Sequence, residues 1–193
     1  MNLSGPVLGV AAAAIGVLTM AAPQQRPDGS DEPRYTRDNR MLRPSNYGEW
    51  IWLSSSLGMS YTPGPPDENP SFANVFVNPS AYRSFVSTGK WPDKTVLVLE
   101  VRSSVSKSSI NQKGRVQGPV TGVEVHVKDE RRFPGKWAFF GFENSVQSGS
   151  LFPKSADCYS CHEQHGAVDT TFVQFYPTLM DVAKQKGTVQ ARY

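Results

Sequence analysis

The chain has 193 residues, 38% of them hydrophobic and 19% charged, with a formal net charge of +3. That length allows one domain with a single core, and no internal repeat suggests a solenoid. The basic bias is mild and lacks a Lys/Arg stripe with interleaved aromatics, which argues against a nucleic-acid partner.

In chain order, residues Pro6 to Ala22 are apolar and small, and Thr19-Met20-Ala21-Ala22 offers a small-residue cleavage site. Residues 1–22 therefore read as a signal peptide or N-terminal anchor. No Lys or Arg precedes the apolar run, and the run is nearly long enough to stay in a membrane. Residues 23–46 are rich in Pro, Arg, Asp and Ser, the composition of a flexible linker. The folded domain is expected over residues 47–193.

Trp50 to Leu53 reads as a buried strand running out into a loop from Ser54 to Gly64. Val75 to Val77 is a short strand, after which Asn78 can cap and Pro79 can open a helix to about Thr88, ended by Gly89. Thr95 to Val101 is apolar on both faces, as a central strand would be. Lys107 to Gly118 reads as a loop. Val120 to Lys128 alternates Val123, Val125 and Val127 against Glu124, His126 and Lys128, the pattern of a half-buried strand. Trp137 to Phe142 is an aromatic strand, Pro153 to His162 a short helix, and Tyr176 to Lys184 a terminal helix. Strands outnumber helices and stand in hairpin order, which predicts an α+β fold: an antiparallel β-sheet flanked by helices.

Both cysteines fall in Cys158-Tyr159-Ser160-Cys161-His162, a C-x-x-C-H sequence. This is the attachment signature of haem c, with Cys158 and Cys161 adding across the haem vinyl groups and His162 ligating iron. Zinc is the first alternative, with His165 as a fourth ligand, but all four ligands would come from one cramped stretch without a distant pair. A redox disulfide is the second, and it lacks the preceding strand and βαβ context such motifs use. His165 reads as a solvated residue one turn on. Haem attachment takes place outside the cytoplasm, which agrees with an exported, periplasmic protein. The cofactor is expected between the sheet and the C-terminal helical segment.

The C-terminal C-x-x-C-H with Phe172-Val173-Gln174-Phe175-Tyr176-Pro177 after it resembles the cytochrome P-460 family. Tyr47-Gly48-Glu49-Trp50, Val75-Phe76-Val77-Asn78-Pro79, Gly89-Lys90-Trp91-Pro92-Asp93, Gly122-Val123-Glu124-Val125 and Lys136-Trp137-Ala138-Phe139 extend the resemblance in family order. It implies a five-coordinate, high-spin iron with His162 proximal. It also implies that function turns on a lysine cross-linked to the haem in members that oxidise hydroxylamine. Leu99 stands where that lysine would be, and Lys90 and Lys94 precede the strand. The sequence is therefore similar to the cytochrome c′-beta branch, which binds nitric oxide or carbon monoxide.

Glu124 matches a family glutamate that assists substrate deprotonation, so an oxidoreductase acting on hydroxylamine or nitric oxide is the alternative, with Glu124 catalytic and a redox partner protein taking the electrons. By sequence alone Glu124 is a carboxylate on a polar strand face, more often solvated than functional. A six-coordinate electron-transfer cytochrome is the third reading, with His126, Met59 or Met180 as weaker distal ligands. Leu97, Leu99 and Val101 share a strand face and would make the distal wall apolar. Phe76, Phe139 and Phe142 could cap the iron, but plain core is the commoner role for each, since aromatics are so often buried. Family members are commonly dimers, so a homodimer is an expectation from the resemblance alone.

Overall fold

The computed structural model describes residue 1, residues 31–143 and residues 147–193. The expected leader therefore lies outside the described residues, apart from Met1. Seven strands are described: β1 (Met41–Leu42), β2 (Ile51–Leu57), β3 (Phe72–Val77), β4 (Val96–Val105), β5 (Val116–Lys128), β6 (Trp137–Phe142) and β7 (Ser148–Leu151). Three helices accompany them: α1 (Pro79–Thr88), α2 (Asp157–His165) and α3 (Pro177–Gln185). The strands form one antiparallel sheet in the order β1-β7-β6-β5-β4-β3-β2. The α+β prediction holds, and β4 and β5 occupy the middle of the sheet.

Side chains alternate between the two faces of each strand, so the sheet divides the apolar residues into two cores. On the front, Leu53, Val77, Leu97 and Trp137 pack with Ala81 and Phe85 of α1 and Leu179 and Ala183 of α3. On the back, Val96, Val98, Val123, Val125, Val127 and Phe140 pack with Met41, Tyr47 and Trp50. The β4 run from Val96 to Val98 is buried on both faces, as its composition predicts.

The back core corrects the expected linker. Residues 31–46 are part of the fold: Met41 is fully buried, and Tyr35 packs on Phe133 and Phe140. Met41 and Leu42 pair with Gly149 and Ser148, while Arg40 reaches the Ser148 carbonyl and the Ser150 hydroxyl. An apolar back face needs a cover, and a few large side chains in a polar segment are enough to supply one.

Two turn residues show how local chemistry shapes the elements. Gly89 ends α1 at φ 72°, where its N–H bonds the Phe85 carbonyl at 2.7 Å. Asn78 precedes Pro79 but makes no side-chain cap to the helix, contrary to the sequence expectation. Its fully buried amide instead accepts from Val96 N–H at 2.8 Å and donates to the carbonyls of Asp31 and Lys94 and to the Ser80 hydroxyl. Asn78 thus fastens the start of β4, the start of α1 and the N-terminal segment together.

The strand limits also differ from expectation. Ser54 to Ser56 belong to β2 rather than to a loop, because β3 offers them a full antiparallel partner. Val116 to Gly118 likewise extend β5 beside β4.

Asn78→Ala removes four hydrogen bonds and strands buried backbone groups, and should cost roughly 2–3 kcal/mol of stability, the price of one or two unmet buried partners. Urea unfolding measures it. A loss below about 0.5 kcal/mol, the range of ordinary surface substitutions, would mean that Asn78 does not fasten these elements.

Candidate functional site

A cavity of about 1090 Å³ opens on the front of the sheet, at the upper end of the usual size range for ligand and cofactor sites. Its floor is the strand face carrying Leu97, Leu99 and Val101 of β4 and Glu124 of β5. The segment from Gly58 to Asp67 forms one wall, and Phe172, Phe175 and His162 form the other. None of the residues lining it is Lys or Arg.

The motif helix α2 sets Cys158, Cys161 and His162 on one side of a single turn, since residues three and four apart share a helical face. The motif side of α2 is its half-buried side, with Cys158, Cys161 and His162 partly covered, and of these three His162 lines the cavity. Both thiols are free and partly exposed. Burial raises the Cys158 thiol above its ordinary pKa, and the nearby Glu124 and Asp157 charges add to this.

His162 is the most constrained group in the site. Its Nδ1 lies 2.7 Å from the Thr170 carbonyl oxygen. A carbonyl only accepts, so Nδ1 carries the proton and Nε2 keeps a lone pair for a metal. The ring is held by Phe172 at 4.2 Å between centroids, Phe139 at 4.7 Å and His126 at 4.8 Å. Burial lowers its pKa, although the Thr170 bond opposes this, and favours the neutral imidazole that ligates metals.

The segment that carries the carbonyl is pinned on several sides. Trp91 donates its indole N–H to Thr171 Oγ1 at 2.8 Å, and Lys128 reaches Asp169 at 3.4 Å. Gln190 donates its backbone N–H to Ala167 and its side-chain amide to the Asp169 carbonyl. Gly166 opens this segment, and a Cβ there would meet the His162 carbonyl and Thr171 N at 2.8 Å. Only glycine lets the loop come this close to α2.

Leu99 and Glu124 face each other directly across β4 and β5, and both line the cavity. The alternation of β5 thus puts its polar face toward the cavity and its valines into the back core, so Glu124 is not on a bulk-solvent face. A second glutamate in the sheet gives a comparison. Burial pushes the Glu100 carboxyl up, but hydrogen bonds from Arg102, Tyr47 and Asn74 outweigh it and hold it below the usual range. Among the described residues no donor reaches the Glu124 carboxylate. It opens onto the cavity and is exposed there, yet surrounding protein desolvates it enough to raise its pKa.

The other sequence candidates separate clearly. His126 is buried against Phe139 and edge-on to His162, with its Nε2 3.3 Å from Thr170 Oγ1. A histidine touching the proximal candidate leaves no room for iron between the two rings, which removes His126 as a distal ligand. Phe139 lines the cavity, whereas Phe142 belongs to the back core and Phe76 packs against it. Met59 lines the cavity, and Met180 packs against the front core instead. His165 is exposed. Sequence reasoning missed Thr170 and the wall from Gly58 to Asp67. Phe172, part of the family resemblance, packs on the His162 ring and lines the cavity.

These residues fit a haem. The cavity is of cofactor size, His162 lines it, both thiols on the same helix are free and partly exposed, and the imidazole has a fixed Nδ1–H and a free Nε2. Among the described residues no three His, Cys, Asp or Glu side chains converge where a metal ion alone could sit. No helix among them is long and apolar enough to cross a membrane.

No curated protein matches the chain. The sequence profile of the family described as Cytochrome P460 matches residues 44–173, more than half of the chain and the whole stretch from β2 through the motif helix. The C-x-x-C-H helix, the cavity it faces and this match lead to one conclusion: the chain belongs to the cytochrome P460 family of haem proteins.

Proposed function

We propose that the protein is an exported, periplasmic cytochrome with a single haem c, attached through Cys158 and Cys161 and ligated on one side by His162. The opposite side of the iron is open, and its ligand is a small uncharged gas such as NO or CO. When bound, haem would supply an iron centre that can hold a diatomic gas.

The observation that carries this reading is Leu99. It occupies the cavity floor where the family's cross-linking lysine would be expected, and no other lysine lines the cavity. Lys94 is paired with Asp129 at 2.6 Å away from it. Leu97, Leu99 and Val101 make the β4 side of the floor apolar, which disfavours ordered water there, and Glu124 is the carboxylate beside it. Thr170 holds His162 in the ligating tautomer.

Glu124 favours a second reading, an oxidoreductase acting on hydroxylamine or nitric oxide. A carboxyl group with no hydrogen-bond donor and a raised pKa, inside the cavity, is suited to take a proton from a bound substrate at one of its oxygens. Only this reading requires a redox partner protein. A homodimer is compatible with both.

Absorption spectra of haem-matured protein test the first reading. Wild type should show an ordinary c-type Soret band when ferrous and should bind CO reversibly. A strongly red-shifted Soret band in wild type would contradict it, because the macrocycle would then carry a cross-link despite Leu99.

Glu124 gives a second prediction, with a definite sign. Its raised pKa means that the folded protein binds the proton more tightly than the unfolded chain does. That contribution is complete below the unfolded value of about 4.3 and is lost as pH rises toward the folded value. Glu124→Gln should therefore raise the melting temperature of the matured protein at neutral pH and leave it unchanged near pH 3.5. A lower melting temperature at neutral pH would show that the ionised carboxylate stabilises the fold. If hydroxylamine is turned over, Glu124→Gln should slow it on the order of a hundredfold with haem content unchanged. Undiminished turnover would remove Glu124 from the chemistry.

A further inference from the structure

Position 126 lies on the cavity face of β5, where an apolar side chain would pack with least cost, yet it holds a buried histidine. Its ring stacks on Phe139 at 4.0 Å and 7°, and packs against Trp137 at 4.4 Å. A buried imidazole needs a polar partner. Its Nε2 finds one in Thr170 Oγ1, at 3.3 Å.

Thr170 therefore works with two arms. Its carbonyl accepts from His162 Nδ1, and its hydroxyl meets His126. The neighbouring residues have other fastenings: Asp169 to Lys128, and Thr171 to Trp91 and, through its N–H, to the Val168 carbonyl. At Thr170 itself, among the described residues, His126 is what holds the side chain.

We propose that His126 and Thr170 form a positioning pair that fixes the carbonyl accepting the His162 Nδ1–H, and so sets how strongly His162 donates to iron. The inference rests on His162 being the iron ligand. A shorter, better aligned Nδ1–H···O bond makes the imidazole more basic, strengthens the iron–histidine bond and favours the ferric state. Releasing Thr170 reverses each of these.

The test uses haem-matured full chain and two readouts that do not depend on turnover: the iron–histidine stretching band of the ferrous protein by resonance Raman, and the reduction potential. Thr170→Val keeps the shape and removes the hydroxyl, and His126→Phe keeps the stack on Phe139 and removes the nitrogen. Both should move the band to lower frequency and the potential upward by similar amounts. The double variant should move them no further, since both changes break one contact. Thr170→Ser, which retains the hydroxyl, should match wild type and separates this effect from damage to the loop. If wild type shows the band and either single variant leaves band and potential unmoved, or the double variant sums the two shifts, the pairing is wrong while the ligand assignment stands. If wild type shows no iron–histidine band, the reading of a five-coordinate iron held by His162 fails and the pairing with it.

Discussion

The bond from His162 Nδ1 to the Thr170 carbonyl is the contact on which the site's architecture converges. It joins the motif helix to a loop, and that loop is tied to Trp91 before β4, to Lys128 at the end of β5 and to Gln190 near the C-terminus. Residues nearly a hundred positions apart thus act on the orientation of one ring. Because the carbonyl fixes where the proton sits, it also fixes which nitrogen is left to bind metal. α2 has no fully buried residue, and Tyr159 is its other fastening, donating to the Phe152 carbonyl, accepting from Phe139 N–H and packing edge-on to the Phe139 ring. The loop and the aromatic rings around His162 complete the placement of the helix.

The second constraint is the division of β5 between its faces. Its valines complete the back core, and that obligation delivers Glu124, His126 and Lys128 to the front. Each serves a different purpose there. Lys128, nearest the strand end, anchors the loop by donating to the Trp91 carbonyl and to Asp169. His126 lies edge-on to the His162 ring. Glu124 meets the open cavity opposite Leu99. A one-residue slip of β5 would point Glu124, His126 and Lys128 into the back core and turn the valines to the cavity face, so the back core keeps the site in register.

Much of this was legible in the residues. β4 and β6 announce themselves as apolar and aromatic runs, and α1 by its Pro79 start and Gly89 stop. β1 and β7 did not, since two and four residues of weak strand character form only because the sheet edge offers partners. The polar composition of residues 31–46 concealed Tyr35 and Met41, which cover the back face. For the site, the C-x-x-C-H motif was plain, and resemblance picked out Leu99 and Glu124. The role of His126 was not readable, because its contact with Thr170 spans 44 residues and depends on how the loop closes. Alternation alone made it a residue on a polar face. Folding turned that face inward.

The account as a whole depends on haem c being joined to the two cysteines of α2, and intact mass analysis of protein matured in a haem c-competent host tests that most directly. Thioether formation adds each thiol across a vinyl group with no atoms lost. The expected result is a mass increase of one complete haem that survives acid–acetone extraction and maps to the peptide containing Cys158 and Cys161. Haem that extracts freely, with both thiols still open to alkylation, would contradict it.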